Sequence, residues 1–119
     1  TRVPVIDGHT AIVSLNFLND SLNIKKFKTI LKLYNDNHQL SNLPSSPKKI
    51  IRILDAIDRP QPKFDCGMEN GMETVIGRIE KDKIFDIRFI GLSHNTVRGA
   101  AGGAILMAEL LVEKKYIHV

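Results

Sequence analysis

Residues 96 to 115 constrain this chain more than any other stretch. Thr96-Val97-Arg98-Gly99-Ala100-Ala101-Gly102-Gly103-Ala104-Ile105-Leu106-Met107-Ala108-Glu109-Leu110-Leu111 read as a helix that runs from Thr96 to about Lys115, with Asn95 or Thr96 at its N-cap. Its sides are apolar nearly all round, and a helix of that kind needs cover on every face. A chain of 119 residues has little to spare for this. The pattern therefore points to a contact with another domain or subunit. Gly99, Gly102 and Gly103 fall in the first half, and each costs a helix about 1 kcal/mol against Ala. Either another backbone packs on the small face or a ligand approaches it. Gly99-x-x-x-Gly103 is a close-packing spacing. The dinucleotide order Gly-x-Gly-x-x-Gly after a strand is missing. The free N–H groups of the first turn would favour an anion.

The rest of the chain alternates strand and helix patterns. Ala11, Val13, Leu15 and Phe17 alternate with Ser14 and Asn16, which predicts a half-buried strand over 11–17. Asn19, Asp20 and Ser21 form a turn and helix-start cluster. Ile24, Phe27, Leu31 and Tyr34 then recur at helical spacing and predict an amphipathic helix over 22–35. Asn35 to Pro47 reads as loop. Lys49 to Ile57 is strand or helix turn. Arg59-Pro60-Gln61-Pro62 forces an extended path, and Cys66 to Gly71 reads as loop. Val75, Gly77 and Ile79, then Phe85, Ile87 and Phe89, predict two strands joined as a hairpin by Lys81-Asp82-Lys83.

Composition excludes several classes. With 43% apolar and 25% charged residues the chain is of ordinary globular make-up. No apolar run reaches the roughly 18 residues of a membrane span, and no signal-peptide pattern opens the chain. The first residue is not Met, and the start reads like the interior of a longer protein. One cysteine, Cys66, cannot form an internal disulfide, so a reducing, cytoplasmic setting is expected. The net charge of +4 gathers at Lys25, Lys26, Lys28 and Lys32 and at Lys48 and Lys49. With no Trp and 6% aromatics, stacking platforms are scarce, so these lysines read as a solvated face rather than a nucleic-acid site.

Few residues could carry chemistry. Arg2 and His9 bracket a proline and the Asp7-Gly8 turn. A guanidinium can clamp a carboxylate while an imidazole moves a proton; the plainer reading is a surface arginine and a turn histidine. No His-x-x-x-His or Cys-x-x-Cys spacing supports a metal, and His38, His94 and His118 lie in unrelated contexts. Cys66 has a carboxylate beside it, which disfavours the thiolate, and reads as a loop cysteine.

Three segments carry a resemblance: Arg2-Val3-Pro4-Val5-Ile6-Asp7-Gly8-His9-Thr10, Arg59-Pro60-Gln61-Pro62, and above all Ser93-His94-Asn95-Thr96-Val97-Arg98-Gly99-Ala100-Ala101-Gly102-Gly103. They resemble the C-terminal part of the aspartate-semialdehyde dehydrogenases, in particular the archaeal and fungal branch. The resemblance implies an α+β domain over 1–119, with an antiparallel or mixed sheet and helices on one side, that binds substrate and forms the subunit interface. Residues 93–119 would return to an N-terminal Rossmann domain that binds NADP and is absent from this chain. It implies NADPH-dependent reduction of aspartyl phosphate to aspartate semialdehyde, with release of phosphate, through a cysteine thioester. That reaction lies on the route to lysine, threonine and methionine. By resemblance Arg2 binds the substrate carboxylate, His9 is the catalytic acid/base, and Asn95 and Thr96 lie against the cofactor. The implied assembly is a homodimer or homotetramer, with no metal, membrane or nucleic-acid partner.

The departures are equally specific. The family's nucleophilic cysteine and phosphate-binding lysine lie upstream of the Arg-to-His motif, and Cys66 does not match the former. The isolated chain is therefore expected to be inactive. Two other readings stay open. Acyl-CoA reductases that make malonate or succinate semialdehyde resemble the same terminal run. A non-catalytic module that pairs through its glycine-faced helix is the second.

Overall fold

The computed structural model describes residues 1–18, 22–40 and 42–118. Its centre is one mixed four-stranded sheet in the order β1-β4-β3-β2. The strands are β1 (His9–Leu15), β2 (Ile51–Leu54), β3 (Thr74–Lys81) and β4 (Ile87–Ser93). β4 pairs antiparallel with both β1 and β3, and β2 pairs parallel with β3. The α+β architecture implied by the resemblance is the one observed.

The long helix α1 (Ile24–Asn37) lies on one face of this sheet. Asn23 caps it, its Oδ1 accepting from the Lys26 N–H at 2.9 Å. Phe27, its buried anchor, packs against Phe17 and Phe89 with ring centroids 6.0 and 5.9 Å apart. The expected helix start at Asn19, Asp20 and Ser21 lies outside the described residues. Tyr34, expected on the packed face, is half exposed. The helix instead turns Asn35 inward. Asn35 Oδ1 accepts from the Ile50 and Ile51 N–H groups, and Nδ2 donates to the Ile51 carbonyl. A residue that reads as the start of a loop thus ties α1 to β2, and the ambiguous stretch after Lys49 resolves as that strand.

Residues opposite one another in an antiparallel pair share a face. Val75 stands opposite Leu92, and Gly77 opposite Ile90. Over this second face runs the Arg59–Pro62 segment, which opens the one-turn helix α2 (Pro62–Asp65) with Pro62 at its start. A Cβ on Gly77 would stand 2.4 Å from the Arg59 carbonyl oxygen, so only glycine admits the crossing. Asp65, fully buried, holds the crossing in place. It accepts from Arg59 Nε at 2.7 Å, from Arg59 Nη2, and from the Gln61 N–H at 2.6 Å.

Several strand boundaries differ from expectation; β1 also ends at Leu15, short of Phe17. β4 begins at Ile87 rather than Phe85, because Asp82 Oδ1 accepts from the Ile84 and Phe85 N–H groups and takes them out of the ladder. Those bonds, with a third from Ser14 Oγ, hold the Asp82 carboxyl down to about 2. β1 begins at His9 rather than Ala11, because β4 runs on to Ser93 and offers His9 a partner.

The terminal helix departs most. Its first turn, Val97–Ala101, is a π turn, and α3 proper runs Gly102–Glu113. Neither expected cap residue caps it by its side chain. The Cβ position of Gly102 is filled by Met72 Sδ at 2.6 Å, and that of Gly103 by the Arg98 carbonyl at 2.4 Å. Both glycines are thus crowded by this chain's own atoms, Gly102 by a side chain and Gly103 by the preceding turn of its own helix. Leu106 is buried with Leu43 and Met72. Around the rest of the helix Ile105, Met107 and Val112 are 54, 55 and 40% exposed, so much of its apolar surface has no cover from this chain.

Candidate active site

The segment before β1 folds back on it. The Thr1 hydroxyl donates to the Thr10 carbonyl at 3.1 Å, as does the Thr1 nitrogen at 2.6 Å. Arg2 and His9 therefore flank the neck of one closed loop. Both are exposed, and among the described residues neither side chain has a partner. The two groups expected to act on a substrate are thus presented by one loop and left unused by the fold.

That loop is seated from below. Gly8 is buried with φ at 101°, a conformation that L side chains rarely adopt. A Cβ there would also meet Leu92 Cδ1 at 2.9 Å and Cys66 Sγ at 3.1 Å. Gly8→Ala is therefore expected to destabilise the fold by about 1–3 kcal/mol from the backbone alone. Urea unfolding of the purified protein checks this; an unchanged midpoint would contradict it.

The loop forms one wall of a cleft of about 640 Å³, opposite Pro62, Lys63, Cys66 and His94. Cys66 packs beneath Gly8 with Val75 and Leu92. Burial pushes its thiol up, and the nearby Asp7 carboxylate adds to this. The thiol stays protonated and serves as packing, as its sequence context implied. The carboxylate responsible is Asp7, across the cleft, rather than the adjacent Asp65, which is committed to Arg59.

His94, which the sequence left without a context, proves central. Its Nδ1 accepts from the Thr96 and Val97 N–H groups at 3.3 Å each, and Thr96 Oγ1 lies 3.2 Å away. It therefore does the capping expected of Asn95 or Thr96. With Nδ1 an acceptor, the proton of the neutral ring belongs on Nε2, which faces Asp7 Oδ1 at 4.0 Å. The ring lies on Gly71, whose φ of 82° and missing Cβ make room for it. A histidine is not among the usual N-cap residues, so no sequence rule flags it.

Asn95 takes a different task. Its Oδ1 accepts from the Gly8 N–H at 2.9 Å. A backbone N–H can only donate, which fixes the orientation of the amide. Nδ2 has no partner among the described residues. Asn95 is thereby bonded to the residue before His9, and Thr96 lies beside His94. None of the four residues expected at the site is among those that line the cleft. Among the described residues no group of three His, Cys, Asp or Glu gathers as metal ligands.

The family profile described as semialdehyde dehydrogenase, dimerisation domain, matches residues 1–98. The chain is 45% identical over 115 residues to the aspartate-semialdehyde dehydrogenase of Schizosaccharomyces pombe, covering 95% of this chain and 32% of that protein. It is 43% identical over 116 residues to that of Archaeoglobus fulgidus, covering 98% and 32%. Among solved structures, aspartate-semialdehyde dehydrogenase with NADP from Candida albicans aligns with a TM-score of 0.82 at 42% identity, over 98% of this chain and 33% of that one. A Vibrio cholerae structure at 24% identity and a TM-score of 0.70, over 94% of this chain and 29% of that one, shares the fold. The chain spans about a third of the length of the curated relatives it matches.

Proposed function

Because this chain belongs to the semialdehyde dehydrogenase dimerisation-domain family, we propose that it is the C-terminal substrate-binding and subunit-contact portion of an NADP-dependent aspartate-semialdehyde dehydrogenase. The enzyme would reduce L-aspartyl 4-phosphate to L-aspartate 4-semialdehyde, the step that feeds lysine, threonine and methionine synthesis. The observation that carries the reading is the loop whose Arg2 and His9 are exposed and unpartnered while the backbone between them is anchored at Gly8.

In this reading Arg2 holds the substrate carboxylate by a bidentate contact that fixes orientation as well as charge, which a lysine would not supply. His9 takes a proton from the attacking thiol and returns one to the reduced product, a task suited to an imidazole near neutral pH. The thiol itself belongs to the upstream portion. NADPH, when bound, supplies the hydride. Asn95 Nδ2 and the Thr96 hydroxyl are the groups of this chain that fit an amide-bearing ring at the edge of that portion. The exposed apolar residues of α3, Ile105 and Val112 on one flank of Leu106 and Met107 on the other, are where the nucleotide-binding domain would rest, and residues 93–119 would return to it. The assembly would be a homodimer or homotetramer in the cytoplasm, where a reduced Cys66 is the ordinary state.

The test is an assay of the intact enzyme with aspartate semialdehyde, phosphate and NADP, against malonyl-CoA with NADPH. NADPH formation that requires both semialdehyde and phosphate is the expected result. Turnover of the thioester alone would move the chain to the acyl-CoA reductases. The 119-residue chain by itself is expected to show no turnover in either assay.

A further inference from the structure

We propose that Asn95 is the positioning residue for His9, acting through the backbone of Gly8; this rests on the reading of His9 given above. The β1–β4 ladder ends where His9 stands opposite Ser93. One residue further out, the Gly8 N–H finds no strand carbonyl and donates to Asn95 Oδ1 instead, at 2.9 Å. A side chain thus adds one rung to the sheet immediately before the catalytic histidine. Gly8 is buried, so without this acceptor its N–H would be left unpaired.

The rung is held from both sides. Asn95 directly follows His94, whose Nδ1 is fixed by the Thr96 and Val97 N–H groups and whose ring is seated on Gly71. The same histidine turns Nε2 toward Asp7, the residue before Gly8. On the loop side, Leu92 and Cys66 leave no room beneath Gly8 for it to shift inward. Asn95 therefore holds Gly8 by this bond, with the His94 ring facing Asp7 beside it, and His9 is the next residue along the strand. A lost grip moves the imidazole relative to its substrate, and a displacement of about 1 Å can cost about 100-fold in rate.

Asn95→Ala and Asn95→Asp in the intact enzyme separate this role from simple cofactor contact. Aspartate keeps the oxygen that Gly8 needs and loses the Nδ2 donor. The expected result for Asn95→Ala at saturating NADPH is a fall in kcat of about 10- to 100-fold and a displaced limb in the pH profile of kcat, with a raised KM for NADPH because the Nδ2 donor is lost as well. Asn95→Asp is expected to recover kcat and the wild-type profile at saturating NADPH while keeping the raised KM for NADPH. Hydrogen exchange of the peptide spanning residues 3–9 is expected to speed up in the alanine variant and to be protected again in the aspartate one. An alanine variant with unchanged kcat and profile, or an aspartate variant as impaired in kcat as alanine, overturns the inference. If the alanine variant does not fold, wild type and Asn95→Asp suffice: a Gly8 amide that exchanges freely in wild type also overturns it. A wild-type enzyme with no semialdehyde dehydrogenase activity removes the underlying reading instead.

Discussion

His9→Asn in the intact enzyme is expected to lower kcat by about 10²- to 10⁴-fold, the usual contribution of a positioned acid/base group. The reason is local. Among the described residues the His9 side chain makes no hydrogen bond or ion pair, so removing it withdraws nothing from the fold. The unfolding free energy is expected to stay within about 0.5 kcal/mol of wild type, as for other exposed positions. The KM for the semialdehyde is expected to change little, because carboxylate binding is assigned to Arg2. Steady-state kinetics beside a thermal melt check both halves. A variant that melts normally and turns over normally would remove His9 from the chemistry and leave a turn histidine on an edge strand.

The second large effect concerns stability. Asp65→Ala is expected to destabilise the protein by about 3–5 kcal/mol, the scale for removing one partner of a buried ion pair. The carboxylate is fully buried and accepts from Arg59 Nε and Nη2 and from the Gln61 N–H. Its loss leaves the Arg59 guanidinium without its partner at the crossing over Gly77, and loosens α2, which forms a wall of the cleft. The pH dependence has a definite sign. The Arg59 hydrogen bonds, helped by the Gln61 N–H and opposed by burial, hold the Asp65 carboxyl below its ordinary 3.8. A carboxyl lowered in the folded state contributes stability above its unfolded value, and that stability is lost as pH falls through the folded one. Wild type is therefore expected to weaken on acidification below about pH 4, and Asp65→Ala to show a shallower acid limb. Asp82, held down to about 2 by its turn, keeps part of that limb in both. Urea titrations between pH 2 and 7 would measure the difference; parallel curves would mean that the pair carries no such term.

Much of this architecture is written in local pattern. Alternation located β1, β3 and β4, helical spacing located α1, and the family resemblance implied the α+β class. Arg2 and His9 were singled out because the segment around Asp7-Gly8 and the terminal His-Asn-Thr-Val-Arg-Gly run resemble a known family, and their roles rest on that resemblance. The apolar girth of α3 led to the expectation of a partner outside this chain, and Ile105, Met107 and Val112 on it are exposed.

Other features were beyond any local rule. The β2–β3 pairing is parallel and joins residues 23 positions apart, so a segment as short as Ile51–Leu54 could not declare itself a strand. The Phe85 end of β4 depended on which N–H groups Asp82 would capture. The capping of the terminal helix by His94, the seat of its ring on Gly71, and the bond from Gly8 to Asn95 join residues up to 87 positions apart. Periodicity reports which face of an element is buried, since that is a property of one segment. It cannot report which side chain meets which backbone N–H once segments are packed, since that is decided by register and crossing. The chemistry of the loop was therefore readable from its residues, whereas the contacts that hold it still exist only in the folded chain.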